Sequence, residues 1–395
     1  FEADKMSEDA DAVFFDANGD GFVDLYVASG GYHSFAPDDT RLQDRLYLND
    51  GKGKFKKSED ALPPMHASKS CVRIADINGD GYPAVFVGGR VIPGRYPETP
   101  QSYILINDGK GQFSDQTKNI APALQYAGMI TDAAWLDMND DKKSDLIITG
   151  EWMPVMVFVN NNGKLEDKTT TYFEKPCYGW WNKLLVQDMN GDGRLDLIAG
   201  NMGLNTQCKV SEAEPAEMYF KDFDDNGSVD PILCFYIQNK SYPYVTRDEL
   251  LDQMSTMRTR YANYKSFADQ TLTDIFTNDD MKGAGHLKAD CLNTTYFEMG
   301  SEGKFHAKAL PLPAQASPVF TINALDYNKD GKQDLLLCGN INQARLRFGK
   351  YDANYGILLK GDGKGNFEYV PQWQSGFRLW GDVRSVLQVN DTWLF

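Results

Sequence analysis

The stretch Asp188-Met189-Asn190-Gly191-Asp192-Gly193-Arg194-Leu195-Asp196-Leu197-Ile198-Ala199-Gly200 decides how this chain is read. Oxygen-bearing side chains fall at positions 1, 3, 5 and 9 of a nine-residue loop, glycine stands at position 6, and an apolar run follows at once. A hard cation such as Ca²⁺ collects roughly six to eight oxygens at about 2.3–2.6 Å, and alternate residues of a tight loop can all supply them, as in the first half of an EF-hand loop. Arg194 would lend its carbonyl, and Asp196 would replace the distant glutamate of an EF-hand.

Five other segments repeat the pattern. They are Asp16, Asn18, Asp20 and Asp24; Asp76, Asn78 and Asp80; Asp137, Asn139, Asp141 and Asp145; Asp222, Asp224, Asn226 and Asp230; and Asp326, Asn328, Asp330 and Asp334. Together with Asp188, Asn190, Asp192 and Asp196 these are the expected metal ligands, the metal being Ca²⁺ in a structural role. Ala84 takes the last carboxylate's place in the second loop, and Lys142 takes the turn glycine's place in the third. Weak binding or none is expected at the second. Asp, Asn and Gly also build ordinary turns, but six copies with one internal spacing, each leading into an apolar run, outrank that reading. The flanks, such as Ala12-Val-Phe-Phe and Leu25-Tyr-Val, are strand-like, whereas an EF-hand needs helices there.

The 395 residues carry 40 lysines and arginines against 56 acids, for a net charge of −16. The loop positions above hold 17 of those acids, so the acidity is largely a cation-site signature. It argues against nucleic acid, which calls for a basic patch. No apolar run approaches the roughly 18 residues that span a membrane. Loops of this kind suit the calcium-rich exterior, so an extracytoplasmic address is expected. The six cysteines show no C-x-x-C spacing, and Cys71 and Cys338 fall in predicted strands as buried small hydrophobes.

Hairpins turned by glycine follow the loops at Arg45–Phe55, Tyr103–Phe113, Val157–Leu165, Tyr296–Phe305 and Ile357–Phe367. Loop starts at 16, 76, 137, 188, 222 and 326 then delimit four-stranded units. Units of about 40–60 residues are the size of propeller blades, whose radial packing buries both faces of each sheet. The spacing predicts an all-β, seven-bladed β-propeller forming one domain over 1–395, with the pair Asp382–Val389 and Asp391–Phe395 making or closing the last blade. A short helical insertion is expected at about 246–290. There Thr246-x-x-Glu249 is a capping box, Leu250, Met254, Met257, Tyr261 and Tyr264 recur at helical spacing, and a second helix covers Leu272–Phe276.

The Asp-x-Asn-Gly-Asp-Gly-x-x-Asp-Leu loops and Asn-Asp-Gly-x-Gly-x-Phe hairpins resemble the FG-GAP or VCBS repeats of β-propellers, shared by integrin α-subunit heads and many bacterial surface proteins. Gly89–Pro100, Gly150-Glu-Trp-Met-Pro154 and Gly179-Trp-Trp-Asn182 more narrowly resemble bacterial propeller proteins related to the cartilage acidic protein and UnbV group. The resemblance implies the propeller fold and calcium. It leaves the biochemical role open, since the fold hosts many activities.

If the acidic loop joins the first two strands of a blade, it shares a face with the hairpin turn, and the other connections emerge opposite. The aromatic and arginine-bearing segments belong to that second face. Arg90, Arg95, Tyr96, Trp152, Trp180, Trp181, Asn182 and Asn205 are the expected ligand-binding residues, since rings stack on sugar faces while amides and guanidinium groups bond hydroxyls and carboxylates. No catalytic set emerges: the four histidines are unpaired, and neither a Gly-x-Ser-x-Gly elbow nor a P-loop is present. The expected function is a non-enzymatic, calcium-stabilised module binding a glycan or protein at a cell surface. The alternatives are a polysaccharide lyase-like enzyme using the same face and a scaffold module of a larger surface protein.

Overall fold

In the computed structural model, which describes residues 2–345, 348–390 and 392–395, the chain is built of antiparallel sheets. The first sheet comprises β1 (Glu8–Phe15), β2 (Asp24–Gly30), β3 (Arg45–Asn49) and β4 (Phe55–Ser58), and the second β5 (Ser68–Ala75), β6 (Ala84–Val91), β7 (Tyr103–Asn107) and β8 (Phe113–Asp115). In the third, β9 (Met129–Leu136), β10 (Asp145–Met153), β11 (Met156–Asn161) and β12 (Lys164–Asp167) are joined by the short β13 (Gly179–Trp180), which pairs with the far end of β10. In each of these sheets the four main strands pair in chain order as a meander. The first strands of successive sheets stand side by side, β1 against β5 and β5 against β9.

The fourth sheet departs from the expected order. It opens with β14 (Lys183–Gln187) and β15 (Asp196–Gly200), and the chain then leaves to build a separate sheet from β16 (Ala216–Lys221), β17 (Asp230–Ile237), β18 (Lys240–Pro243) and β19 (Gly285–Ala289). It returns as β20 (Thr295–Met299), which pairs with β15, and β21 (Phe305–Ala309). A whole sheet is therefore nested between residues 200 and 295, and the helical segment expected at about 246–290 lies inside it, between β18 and β19. This nesting explains the short interval after Asp188 and the long one before Asp326.

The last four-stranded sheet holds β22 (Val319–Leu325), β23 (Asp334–Gly339), β24 (Ile357–Gly361) and β25 (Phe367–Val370), and the pair β26 (Leu387–Val389) and β27 (Thr392–Leu394) bonds only to itself. Asp391, expected to open the last strand, lies outside the described residues. With β9 against β14 and β14 against β22, five sheets stand in series like propeller blades, where the sequence spacing predicts seven. Among the described residues β22 and β1 do not pack as the neighbouring pairs do. No helix is long and apolar enough to cross a membrane.

Sheet stacking explains why the second strands are apolar throughout. In β6, Phe86 enters the core shared with the third sheet, while Val85 and Val87 enter the core shared with the first. In β10, Leu146 and Ile148 face the second sheet and Ile147 faces the fourth. Alternate side chains of one strand thus fill two different inter-sheet cores, as the two faces of a buried strand must.

The capping box forms as expected: Thr246 and Glu249 bond reciprocally at the start of the helix Arg247–Gln253. The helical stripe does not form one continuous helix. It breaks into that helix, a 3-10 turn Ser255–Arg258 and the separate Tyr264–Phe267. Leu250, Met254 and Tyr261 pack on Ile232 and Cys234 of β17, while Tyr264 is exposed. The stripe thus covers its own inserted sheet.

Candidate functional site

Each acidic loop is closed by its first aspartate. The position-6 N–H donates to Oδ2 of Asp16, Asp76, Asp137, Asp188, Asp222 and Asp326 at 2.6–2.9 Å. Lys142 adopts φ +65° and makes this bond as the glycines do, so the third loop keeps the turn despite lacking glycine.

The ninth aspartates have a role the sequence reading missed. Asp24, Asp145, Asp196, Asp230 and Asp334 are buried. One oxygen of each accepts the N–H of loop position 2, from Ala17, Met138, Met189, Phe223 and Tyr327 at 2.8–3.0 Å. In four of them the other oxygen accepts an N–H at the end of the third strand, from Asn49, Asn160, Met299 and Gly361. These carboxylates tie loop to hairpin within a sheet. Ala84 leaves the second sheet without that tie.

Neighbouring sheets are tied on the same face, where Asn107 Nδ2 donates to Ala17 O at 2.9 Å and Asn160 Nδ2 to Ile77 O at 2.8 Å. Burial is the largest influence on the ninth aspartates and pushes their carboxyls above the ordinary value; a nearby cation would pull them back down.

The donor set fits a hard cation best at the fifth loop. Carboxylate oxygens of Asp222, Asp224 and Asp230 lie within 4.8 Å of one another, and Asp224 Oδ1 is buried with no hydrogen-bond partner. An orphaned buried carboxylate oxygen is costly unless something positive meets it. Oxygen donors alone suit calcium or magnesium over softer metals.

At the other end of the same strands lies a cavity of about 620 Å³. Its walls are the beginnings of first strands and the ends of second strands: Ser70 of β5, Arg90 of β6, Thr131 of β9, Trp152 of β10 and Phe320 of β22 all line it. Met218 and Leu233 of the inserted sheet form another wall, and that sheet packs on Met129 and Trp152 through a small apolar cluster.

The polar groups of the wall are ordered. Arg90 Nη2 donates to Glu151 Oε1 at 2.6 Å, Trp152 Nε1 donates to Tyr96 Oη at 2.8 Å, and Tyr96 Oη lies 3.5 Å from Glu151 Oε2. Trp152 holds φ +61°, unusual for a bulky residue, and meets Trp180 edge to face at 5.1 Å. Buried Asn201 fixes the approach to this pair, accepting Trp180 N–H and Met202 N–H and donating to Cys291 O. Lys69 is buried in the wall, with its ammonium 3.0 Å from Asp44 and 2.6 Å from Met65 O. A second cavity of about 620 Å³ adjoins, sharing Lys69, Arg90, Tyr96 and Glu151 and reaching Tyr32 and His33.

Of the expected ligand-binding residues, Arg90, Tyr96, Trp152, Trp180 and Asn182 therefore converge on one cavity. Three do not. Arg95 pairs with Glu98 at 2.6 Å on the loop, Asn205 holds Ala316 O at 3.1 Å, and Trp181 is fully buried against Phe297 between the third and fourth sheets. Trp181→Ala is expected to destabilise the fold by about 3–5 kcal/mol, read by urea denaturation; a variant as stable as the parent would contradict its place in that core. Sequence reasoning missed Glu151, Phe320 and Arg384. Only Glu151 had a signal, lying inside the Gly150–Pro154 motif.

The FG-GAP-like repeat description matches residues 16–87 and 137–199. No curated protein sequence matches the chain. Among solved structures, the rhamnogalacturonan lyase YesW is similar at 14% identity and a TM-score of 0.34 over 92% of this chain, which spans 64% of the lyase chain. The V. cholerae biofilm matrix protein Bap1 is similar at 11% identity and a TM-score of 0.25, over 92% of this chain and 80% of that one. Four of the six acidic loops lie inside the matched stretches, so these two stretches of the chain are FG-GAP-like repeats.

Proposed function

We propose that this chain is an extracytoplasmic, calcium-stabilised propeller module that binds a glycan through the face opposite its acidic loops. The observation that carries the reading is the cavity walled by Trp152, Trp180, Tyr96 and the Arg90–Glu151 pair. Its volume falls in the range of about 300–1,000 Å³ typical of small-ligand sites. Rings with a few placed polar groups suit a saccharide better than a flat protein surface.

In this reading the two ends of the strands divide the work: cations fasten the sheets at one end, and connections free of that duty shape a pocket at the other. A ring of seven blades belongs to the same proposal. Titration calorimetry against a panel of oligosaccharides tests the site. Trp180→Ala, compared at a temperature where the variant is fully folded, is expected to weaken binding about two- to tenfold, since ring stacking and edge contacts of this kind are worth about 0.5–1.5 kcal/mol beyond area burial. Equal affinity in parent and variant would remove this cavity as the binding site.

A further inference from the structure

We infer that the ligand of this cavity is an acidic saccharide whose anionic group is received by Arg384; the inference rests on the glycan-binding reading above. Three cationic side chains line the cavity. Lys69 is matched by Asp44 and Arg90 by Glu151. Arg384 alone of the three has no carboxylate within ion-pair distance among the described residues.

Its guanidinium carbon stands 3.9 Å from the centre of the Phe320 ring. Among the described residues its guanidinium donates one hydrogen bond, from Nη1 to the carbonyl of its own neighbour Val383, at 3.2 Å. Arg384 is exposed to solvent, and partial desolvation lowers its pKa against the opposing charge of Asp382, whereas Arg41, Arg45, Arg73 and Arg95, all with carboxylate partners, are raised. The segment bearing Arg384 is anchored: Val383 N–H donates to Gly339 O, Asn342 N–H donates to Asp382, and Asn340 Nδ2 donates to Gly381 O. A planar guanidinium stacked on a ring presents its fork to one side, the geometry that carboxylate and sulfate groups match with two bonds.

Two further donors around the cavity lack protein acceptors. Trp180 Nε1 is buried without a partner, and the Asn182 carboxamide, also in the wall, makes no hydrogen bond among the described residues. Glu151, the one carboxylate of the lining, already faces Arg90 and Tyr96. The cavity thus offers unmet donors and one positive charge without a direct ion pair among the described residues, in a chain whose net charge is −16. An acceptor-rich anion satisfies both, whereas a neutral ligand offers the guanidinium fork no charge-assisted partner.

Titration calorimetry with tetragalacturonate, its methyl ester and a sulfated, carboxylate-free carrageenan tetrasaccharide tests this. At least one anionic saccharide is expected to bind about tenfold or more tighter than the neutral ester, the affinity of one charged, doubly bonded contact. Arg384→Gln should reduce that advantage to about twofold, with the melting temperature unchanged. Preference for either anion that depends on Arg384 supports the inference, and the stronger one names the group. If neither anion binds more tightly than the ester, or if Arg384→Gln changes nothing while Trp180→Ala abolishes binding, the acidic ligand is wrong and the glycan site stands. If none of the three binds to the parent protein, both readings fall.

Discussion

Asp196→Ala is expected to cost about 3–5 kcal/mol of unfolding free energy, the effect of removing one partner from a buried charged network. Asp196 accepts three hydrogen bonds: from Met189 N–H at 3.0 Å, from Met299 N–H at 2.9 Å and from the Tyr296 hydroxyl at 2.7 Å. Alanine leaves two amides and a hydroxyl without an acceptor in a site closed to water, and it unties the loop before β15 from the end of β20. That second consequence raises the cost here above the other sheets. The two halves of the fourth sheet are separated in sequence by the whole inserted sheet, so the Asp196 contacts to Tyr296 and Met299 bridge about a hundred residues. Asp192→Ala, on the exposed side of the same loop, removes only loop hydrogen bonds and an ion pair with Arg194 and should stay close to the parent in calcium-free buffer. Urea denaturation of both variants checks this, and equal losses would mean that the ninth position has no separate structural duty.

Removing divalent cations is the second large effect expected. Each ion that binds the folded chain alone contributes about 4 kcal/mol when its concentration is a thousand times its dissociation constant. Several loops acting together would therefore move the melting temperature by many degrees. Calorimetric scans in calcium and in chelator should differ in that direction. Asp224→Ala should reduce the bound stoichiometry by one, because that side chain carries the buried oxygen with no other partner. Identical scans would refute the calcium reading, and an unchanged stoichiometry would refute the assignment of Asp224.

The six loops and the strands after them were legible because both follow local rules: a short-range ligand spacing, a turn residue, and a run of apolar side chains. The nesting of one sheet inside another was not. The hairpin at Tyr296–Phe305 has the same local pattern whether it follows β17 or β15, and only the uneven loop intervals carried a trace of the choice. The backbone ties of the ninth aspartates were not legible, because a carboxylate at that spacing looks the same whether or not it also accepts two backbone amides.

Trp181 illustrates a rule that the sequence held but the residue types obscured. Side chains alternate along extended backbone, so Trp180 and Asn182 reach the cavity while Trp181 turns into the core. Arg384 lies in a segment without periodic pattern, and only the folding of that segment against Gly339 and Asn342 brings it to the cavity.

Hydrogen–deuterium exchange of the calcium-loaded chain, with and without a bound oligosaccharide, measures the division between the two ends of the strands most directly. The account predicts ligand-dependent protection at residues 89–96, 150–152 and 180–182, with the acidic loops unchanged. Protection confined to residues 16–24, 137–145 and 188–196 would place the ligand on the opposite face and contradict it.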